Sequence, residues 1–141
     1  MRSRFFALAL AAAAIAPIGA AHAQAGDAGR GETVFRQCQA CHRVGDGARN
    51  LVGPIMNGIV GRQAGTVDGY AYSNINKAAG AAGLVWTEEN MVAYLPDPQA
   101  FLRKFLTDKG QPAPGSTKMT FKLANPQAAL DVVAYLKTFP K

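Results

Sequence analysis

The feature that most constrains this chain is the five-residue segment Cys38-Gln39-Ala40-Cys41-His42. It places two thiols and an imidazole on about one turn of backbone. In this arrangement each sulfur can form a thioether to a vinyl group of a haem, and the histidine that follows can donate a ring nitrogen to the iron. The segment therefore predicts one covalently attached haem c, held by Cys38 and Cys41 with His42 as the first axial ligand.

Other uses of two cysteines and a histidine account for these residues less well. A structural zinc site needs four ligands, and the chain beyond residue 23 holds no further Cys or His. A thioredoxin-like C-x-x-C motif would come with a βαβ pattern, which the sequence lacks. A disulfide between Cys38 and Cys41 would leave His42 without a role. Haem attachment uses all three side chains.

The first 23 residues differ in kind from the rest of the chain. Arg2 and Arg4 precede an apolar run over 5–15, and Ala21-His22-Ala23 has the small residues of a cleavage site. The run is shorter than the roughly 20 apolar residues of a spanning helix, so residues 1–23 are predicted to be a cleaved secretory signal peptide. An uncleaved membrane anchor is the alternative. Residues 24–141 then form one small domain, in which a buried haem would supply much of the core.

Four helices are predicted from capping residues and from apolar positions spaced three and four apart. They run from Asp27 to Cys38, from Thr87 to Leu95, from Asp97 to about Thr107 and from Asn125 to Phe139. Gly31 in the first helix costs about 1 kcal/mol of helix propensity relative to Ala, which is explained if the last helix crosses closely there. Residues 45–72 are rich in glycine and are predicted to be an ordered loop around the cofactor, with a disordered linker as the alternative. No strand alternation is present, so the predicted fold class is all-α.

The candidates for the second axial ligand of the iron are Met56, Met91, Met119 and the lysines. The further alternative is that this coordination position has no protein ligand. Met91 lies on a helical stripe, where a methionine is usually core filler. Met56 is only fourteen residues beyond His42, so reaching the opposite face of a haem is harder. Met119 follows the proline-rich segment 111–115, a stiff loop that can present a thioether to a fixed point. We therefore favour Met119.

Over residues 26–139 the chain resembles the class I c-type cytochromes, in particular the bacterial cytochrome c2 and mitochondrial cytochrome c group. The residues that carry the resemblance, besides the haem motif, are Gly31, Phe35, Gly53-Pro54, Gly58, Gly61-Arg62, Gly65, Gly69-Tyr70-Ala71-Tyr72, Asn76, Trp86, Tyr94-Leu95, Pro98, Pro114-Gly115-Ser116-Thr117-Lys118-Met119, Phe121 and Ala134-Tyr135-Leu136-Lys137. Two features depart from the short mitochondrial form: the segment 98–119 is longer, and Ser116 lengthens the run before Met119.

The resemblance implies a small class I cytochrome c fold over residues 24–141, with helices and ordered loops wrapped around one covalent haem. It implies His42 and Met119 as axial ligands and the Pro54 carbonyl as acceptor for the His42 ring. The other implied contacts are Arg62, Tyr72 and Trp86 around a buried haem propionate, and Tyr94 and Thr117 near the Met119 sulfur.

The expected function is that of a soluble periplasmic electron carrier, working between membrane-bound or periplasmic redox complexes such as a cytochrome bc1-type donor and an oxidase or reaction-centre acceptor. An iron with both axial positions filled has no free site for substrate, so we do not expect an enzyme. The alternatives are a haem peroxidase or ligand sensor, which needs an open position, and a fixed haem subunit of a larger complex. We expect a monomer that binds no nucleic acid.

The positive charge is concentrated in one segment. The whole chain has a formal net charge of +6, and residues 101–123 hold five basic side chains and one acidic side chain. The five are Arg103, Lys104, Lys109, Lys118 and Lys122. They are predicted to dock an acidic partner near Met119, with a merely solvated charged face as the alternative.

Overall fold

The computed structural model describes residues 25–141, so the signal peptide predicted for residues 1–23 lies outside the described residues. Over this range the helices are α1 (Ala28–Phe35), α2 (Asn74–Ala81), α3 (Glu88–Tyr94), α4 (Pro98–Asp108) and α5 (Pro126–Leu136). The β pairing found in the same range is one isolated bridge between Gln63 and Val85. The predicted all-α fold class is confirmed. Within residues 25–141 no helix has the length and apolar character needed to cross a bilayer.

Helix α1 crosses α5 at a glycine, as the sequence predicted. A Cβ atom added to Gly31 would lie 2.0 Å from the Asp131 carbonyl oxygen, and one added to Gly26 would lie 2.2 Å from the Leu130 carbonyl oxygen. Real Cβ atoms do not approach this closely, so the two backbones can meet only where α1 has no side chain. The crossing fixes the end of α1 that leads into the haem motif.

The same crossing is held by a buried carboxylate. Asp131 on α5 is 3% exposed, and its oxygens accept hydrogen bonds from the Asp27 N–H at 2.8 Å, from Arg30 Nε at 2.8 Å and from Gln127 Nε2 at 2.8 Å. The hydrogen bonds from Arg30, and with them those from Asp27 and Gln127, hold the pKa of Asp131 well below its usual range. Charge-assisted bonds therefore add to the apolar packing between α1 and α5.

The predicted caps are present, but two helix ends differ from prediction. Asp27, Thr87, Asp97 and Asn125 each accept a hydrogen bond from the backbone N–H three residues later. Helix α1 ends at Phe35, and the chain continues to Cys38 in turns, because the motif must bend to bring its side chains to one side. Helix α5 ends at Leu136, and Phe139 lies beyond it.

Helix α2 was not predicted from the sequence. It is eight residues long, and its N-cap Ser73 makes no capping hydrogen bond with the helix backbone. Its buried residues include Ile75 and Ala79, which are 0% exposed. A short alanine- and glycine-rich segment has a weak helix pattern, so tertiary packing rather than local sequence decides its structure.

Candidate haem-binding site

Cys38, Cys41 and His42 are brought together by the turns that follow α1. The Cys41 N–H donates to the Cys38 carbonyl at 3.1 Å, and the His42 N–H donates to the same oxygen at 2.9 Å. Both cysteines are free thiols, so the alternative of a disulfide between them is not formed. All three side chains line one pocket. Burial, together with nearby Cys41, raises the pKa of the Cys38 thiol to about 11.

The His42 ring is held by two consecutive residues of the opposing loop. Its Nδ1 donates to the Pro54 carbonyl at 2.7 Å, as the resemblance implied. A Cβ on Gly53 would lie 2.4 Å from His42 Cε1, so only glycine leaves room for the ring. Burial lowers the pKa of His42 despite the Pro54 hydrogen bond, and the Arg62 charge lowers it further. The neutral ring that results keeps its Nε2 lone pair for a metal ion.

The pocket has a volume of about 330 Å³ and a mainly apolar wall. Phe35 from α1, Met91 and Tyr94 from α3, and Val132 and Leu136 from α5 contribute to it. Helices from both ends of the chain therefore surround the side of the pocket that lies away from the solvent. Such a wall fits a large apolar ring system better than a small polar ligand.

All three candidate methionines line this pocket, and their supports differ. Met91 is 5% exposed and belongs to the hydrophobic core. The Met56 N–H donates to the Arg43 carbonyl at 3.0 Å, which places its backbone beside the residue that follows His42. Met119 lies in the separate loop between α4 and α5, over residues 109–125. Of the three, Met119 packs at the edge of the core rather than within it and also lies away from the His42 loop.

Three polar residues implied by the resemblance also line the pocket, namely Arg62, Tyr72 and Trp86. The Arg62 guanidinium donates to the Asn57 and Ile55 carbonyls, each at 3.0 Å. The backbone N–H of Trp86 donates to the Arg62 carbonyl at 2.8 Å, so these two residues are held together. A fixed cation at the pocket wall suits a ligand that carries carboxylates, such as the propionates of a haem.

Beside Met119 lies a buried polar cluster. Tyr94 is 9% exposed, and burial raises the pKa of its hydroxyl to about 12. Thr117 Oγ1 donates to Asn76 Oδ1 at 3.2 Å, and Ser73 Oγ donates to the same oxygen at 2.7 Å. Sequence reasoning gave no role to Ser73 or Asn76. No local pattern links them to Thr117, since Asn76 lies 41 positions earlier along the chain and Ser73 lies further still.

The mouth of the pocket is crossed by contacts that the sequence did not predict. The Lys118 ammonium lies 5.6 Å from the centre of the Tyr70 ring and donates to the Ala71 carbonyl. The Tyr70 hydroxyl donates to the Val52 carbonyl at 2.7 Å. The loop that carries Met119 is therefore joined, through Tyr70, to the loop that supports His42.

The predicted basic cluster is partly neutralised within the chain. Lys104 pairs with Asp108 at 2.7 Å, and Lys122 pairs with Asp97 at 2.6 Å. Lys109 lies over the Phe105 ring at 5.8 Å. A count along residues 101–123 omits Asp97, so it overstates the local positive charge.

The donor set as a whole fits a covalently bound haem. Two free thiols and a neutral imidazole occupy one turn, the loop between α4 and α5 supplies a thioether, and the wall is apolar with one fixed cation. Soft sulfur and imidazole are the ligands that haem iron takes in electron-transfer proteins.

Comparison with known proteins agrees with this donor set. The model of the cytochrome c family matches residues 28–140. Cytochrome c2 iso-1 of Rhodospirillum centenum is 64% identical over 118 residues, which cover 82% of this chain and 98% of that protein. A cytochrome c2 of Rhodopseudomonas palustris is 61% identical over 114 residues, covering 79% of this chain and 97% of that protein.

Solved structures give the same result for the fold. The structure of cytochrome c2 from Rhodospirillum centenum matches with a TM-score of 0.80 at 62% identity, covering 82% of this chain and all of that one. The ferricytochrome c2 structure from Rhodopseudomonas palustris matches with a TM-score of 0.76 at 58% identity, covering 80% of this chain and 98% of that one. The chain therefore belongs to the class I cytochrome c family, in its cytochrome c2 group, and is an electron carrier with one covalently bound haem c.

Proposed function

We propose that this protein is a periplasmic carrier that moves one electron at a time between membrane-bound or periplasmic redox complexes. A cytochrome bc1-type donor and an oxidase or reaction-centre acceptor are the expected kinds of partner. The observation that carries the proposal is the convergence of Cys38, Cys41, His42 and Met119 on one apolar pocket. When bound, the haem supplies a site that gains and loses a single electron.

Each site residue has a proposed task. Cys38 and Cys41 would hold the haem through thioethers, and His42 and Met119 would bind its iron. The Pro54 carbonyl fixes the His42 ring through the bond to Nδ1. Arg62, Tyr72 and Trp86, which line the pocket, would contact a haem carboxylate, and Tyr94 and Thr117 would lie beside the Met119 sulfur.

If His42 and Met119 both bind the iron, no coordination position would be left for a substrate, so we do not expect an enzyme. A peroxidase or ligand sensor needs an open coordination position and a distal group that handles a proton. The chain has no histidine beyond residue 23 apart from His42. Tyr94 is a poor substitute as a proton carrier, because burial raises its pKa to about 12.

Export to the periplasm rests on residues 1–23, whose charged start, apolar run and Ala21-His22-Ala23 ending are typical of a cleaved signal peptide. A c-type haem is attached by thioethers to cysteines that must stay reduced until attachment.

Docking is proposed to use the basic cluster of Arg103, Lys104, Lys109, Lys118 and Lys122. Its five positive charges are offset by Asp97 and Asp108, which pair with Lys122 and Lys104. The local excess is therefore about three charges, enough to orient an acidic partner and to speed encounter without holding it long.

The visible spectrum of the ferric protein tests the proposal against its rival. A low-spin, six-coordinate spectrum is expected for an electron carrier with both axial ligands in place. A high-spin ferric spectrum would favour the peroxidase or sensor. Adding the purified protein to membranes from its own source, and following its oxidation and reduction, would then identify the partners.

A further inference from the structure

The loop that carries Met119 is long and has no regular structure of its own. Residues 109–125 lie between α4 and α5, and Gly115, Ser116 and Lys118 within it are exposed. Loops of more than about 12 to 15 residues without secondary structure usually serve a function. A metal ligand must be held within about 0.5 Å of its working position. Contacts from outside the loop must therefore supply its rigidity.

After Met119, the loop is tied to the junction between α3 and α4. The Leu123 N–H donates to the Leu95 carbonyl at 2.8 Å, and Leu123 is 7% exposed. Lys122 pairs with Asp97, the N-cap of α4, at 2.6 Å. These contacts hold the end of the loop that leads into α5, but they do not fix the residues before Met119.

Before Met119, the loop is held by the side chain of Gln99. Its Oε1 accepts from the Thr117 N–H at 2.8 Å, and its Nε2 donates to the Gly115 carbonyl at 3.4 Å. Only one orientation of the amide satisfies both partners, because an N–H can only donate and a carbonyl can only accept. One planar group thus pairs with two backbone positions of the loop, as a neighbouring strand would.

Gln99 is well placed to act as an anchor. It follows Pro98, a buried residue in the first turn of α4, whose ring fixes the backbone there. The restraint continues from Thr117 towards Met119, since Thr117 Oγ1 accepts from the Met119 N–H at 3.2 Å and donates to Asn76. A short path of hydrogen bonds therefore links α4 to the backbone of Met119.

We propose that Gln99 is a positioning residue for Met119, whose amide holds residues 115–117 so that the thioether stays on the iron. This proposal rests on the proposed axial role of Met119. It gives the long segment between Pro98 and Met119 a specific contact, made by a residue to which neither the motif nor the resemblance assigned a role.

The test compares Gln99→Leu with Gln111→Leu in the haem-loaded protein. Both changes remove one amide, and the exposed Gln111 lies in the same loop. Two quantities are measured: hydrogen exchange of the Thr117 amide, and the rate at which cyanide binds the ferric protein. In Gln99→Leu the loss of two hydrogen bonds should increase the fraction of molecules in which the loop is open. The exchange rate of the Thr117 amide and the rate of cyanide binding should therefore each rise by about fivefold or more. Gln111→Leu should change neither.

Two further variants keep the outcome decisive. Gln99→Glu retains the acceptor for Thr117 but sets a carboxylate against the Gly115 carbonyl, and it suits the first turn of α4. It should give an intermediate rate of cyanide binding. Met119→Leu should bind cyanide faster than any Gln99 variant.

Unchanged exchange at Thr117 in Gln99→Leu would overturn the proposal. The proposal would also be overturned if Gln99→Leu shows faster exchange at Thr117 but an unaltered rate of cyanide binding, provided that Met119→Leu binds cyanide faster than the unaltered protein. If Met119→Leu also leaves cyanide binding unaltered, Met119 is not the ligand, and the proposed function fails together with this inference.

Discussion

At the scale of single residues, the site depends on side chains whose positions are set by their neighbours. The His42 ring lies against Gly53, and its Nδ1 is bonded to Pro54, so one short segment fixes both the position and the tautomer of the ligand. The Met119 loop is instead held by residues outside it: Gln99 accepts a hydrogen bond from Thr117, Asp97 pairs with Lys122, and Leu95 accepts a hydrogen bond from Leu123.

The Met119 assignment leads to a prediction about the reduction potential. Met119→Leu removes the soft sixth donor, so the potential should fall by a substantial part of the roughly 0.8 V that axial ligands span. Met56→Leu and Met91→Leu are matched controls on the same pocket and should change it little. Redox titration of the three variants checks this. A large fall in either control, with Met119→Leu unaltered, would assign the ligand differently.

At the scale of helices, the crossing of α1 and α5 combines a glycine contact with a buried carboxylate. The close crossing at Gly31 could be predicted from the sequence, because a glycine inside a helix lowers the helix propensity and a crossing helix explains its presence. The partners of Asp131 could not, since Asp27 and Arg30 lie about a hundred residues away along the chain. Caps and motif spacing are local signals and were predicted. Helix α2, the Asn76 cluster and the Tyr70 contacts depend on long-range packing and were missed.

Gly31→Ala should destabilise the protein. The new Cβ would lie 2.0 Å from the Asp131 carbonyl oxygen and force the helices apart. Overpacking of this kind costs about 1 to 3 kcal/mol, which exceeds the gain of about 1 kcal/mol in helix propensity. Gly29→Ala in the same helix is the control, because its Cβ would meet only the end of the Asp27 side chain, at 3.3 Å. Chemical unfolding compares the two, and equal free energies of unfolding would argue against the close crossing.

Asp131 should make stability depend on pH. Its pKa is lowered in the folded state, chiefly by the hydrogen bonds from Arg30. The stabilisation is therefore fully present above the unfolded pKa of about 3.9 and is lost as pH falls towards the folded value. Asp131→Asn should be less stable at pH 7 and should lose less stability on acidification. Denaturant unfolding at pH 7 and pH 3 measures this, and parallel losses in both proteins would exclude Asp131 as the cause.

At the scale of the whole molecule, the fold is built around the pocket. The pocket occupies about 330 Å³ between helices from both ends of the chain. A chain unable to attach a haem would leave the apolar wall of this pocket in contact with water, and burial of apolar surface is the main contribution that stabilises a domain. Since domains are stable by only about 5 to 15 kcal/mol, such a chain should be poorly folded.

The charge distribution leads to a prediction about partner encounter. The rate of electron transfer with membranes should fall as ionic strength rises, because exposed charges are screened beyond about 8 Å at physiological salt. Replacing Arg103 and Lys109 together with Gln should weaken that dependence. The control replaces Arg36 and Lys77 with Gln. It removes the same amount of positive charge elsewhere on the surface and leaves the contacts between Arg30 and Asp131 intact. If both pairs change the salt dependence equally, only net charge matters and the basic cluster is not a docking surface.

The central claim, that Cys38 and Cys41 hold a haem through thioethers, is tested most directly by the intact mass of the denatured protein. We expect the mass of the polypeptide from Gln24 plus one haem, still joined after denaturation. Cys38→Ser should leave one thioether, and the Cys38→Ser, Cys41→Ser double variant should carry no covalent haem and show little helix by circular dichroism. Covalent haem on the double variant, or none on the unaltered chain, would contradict the account.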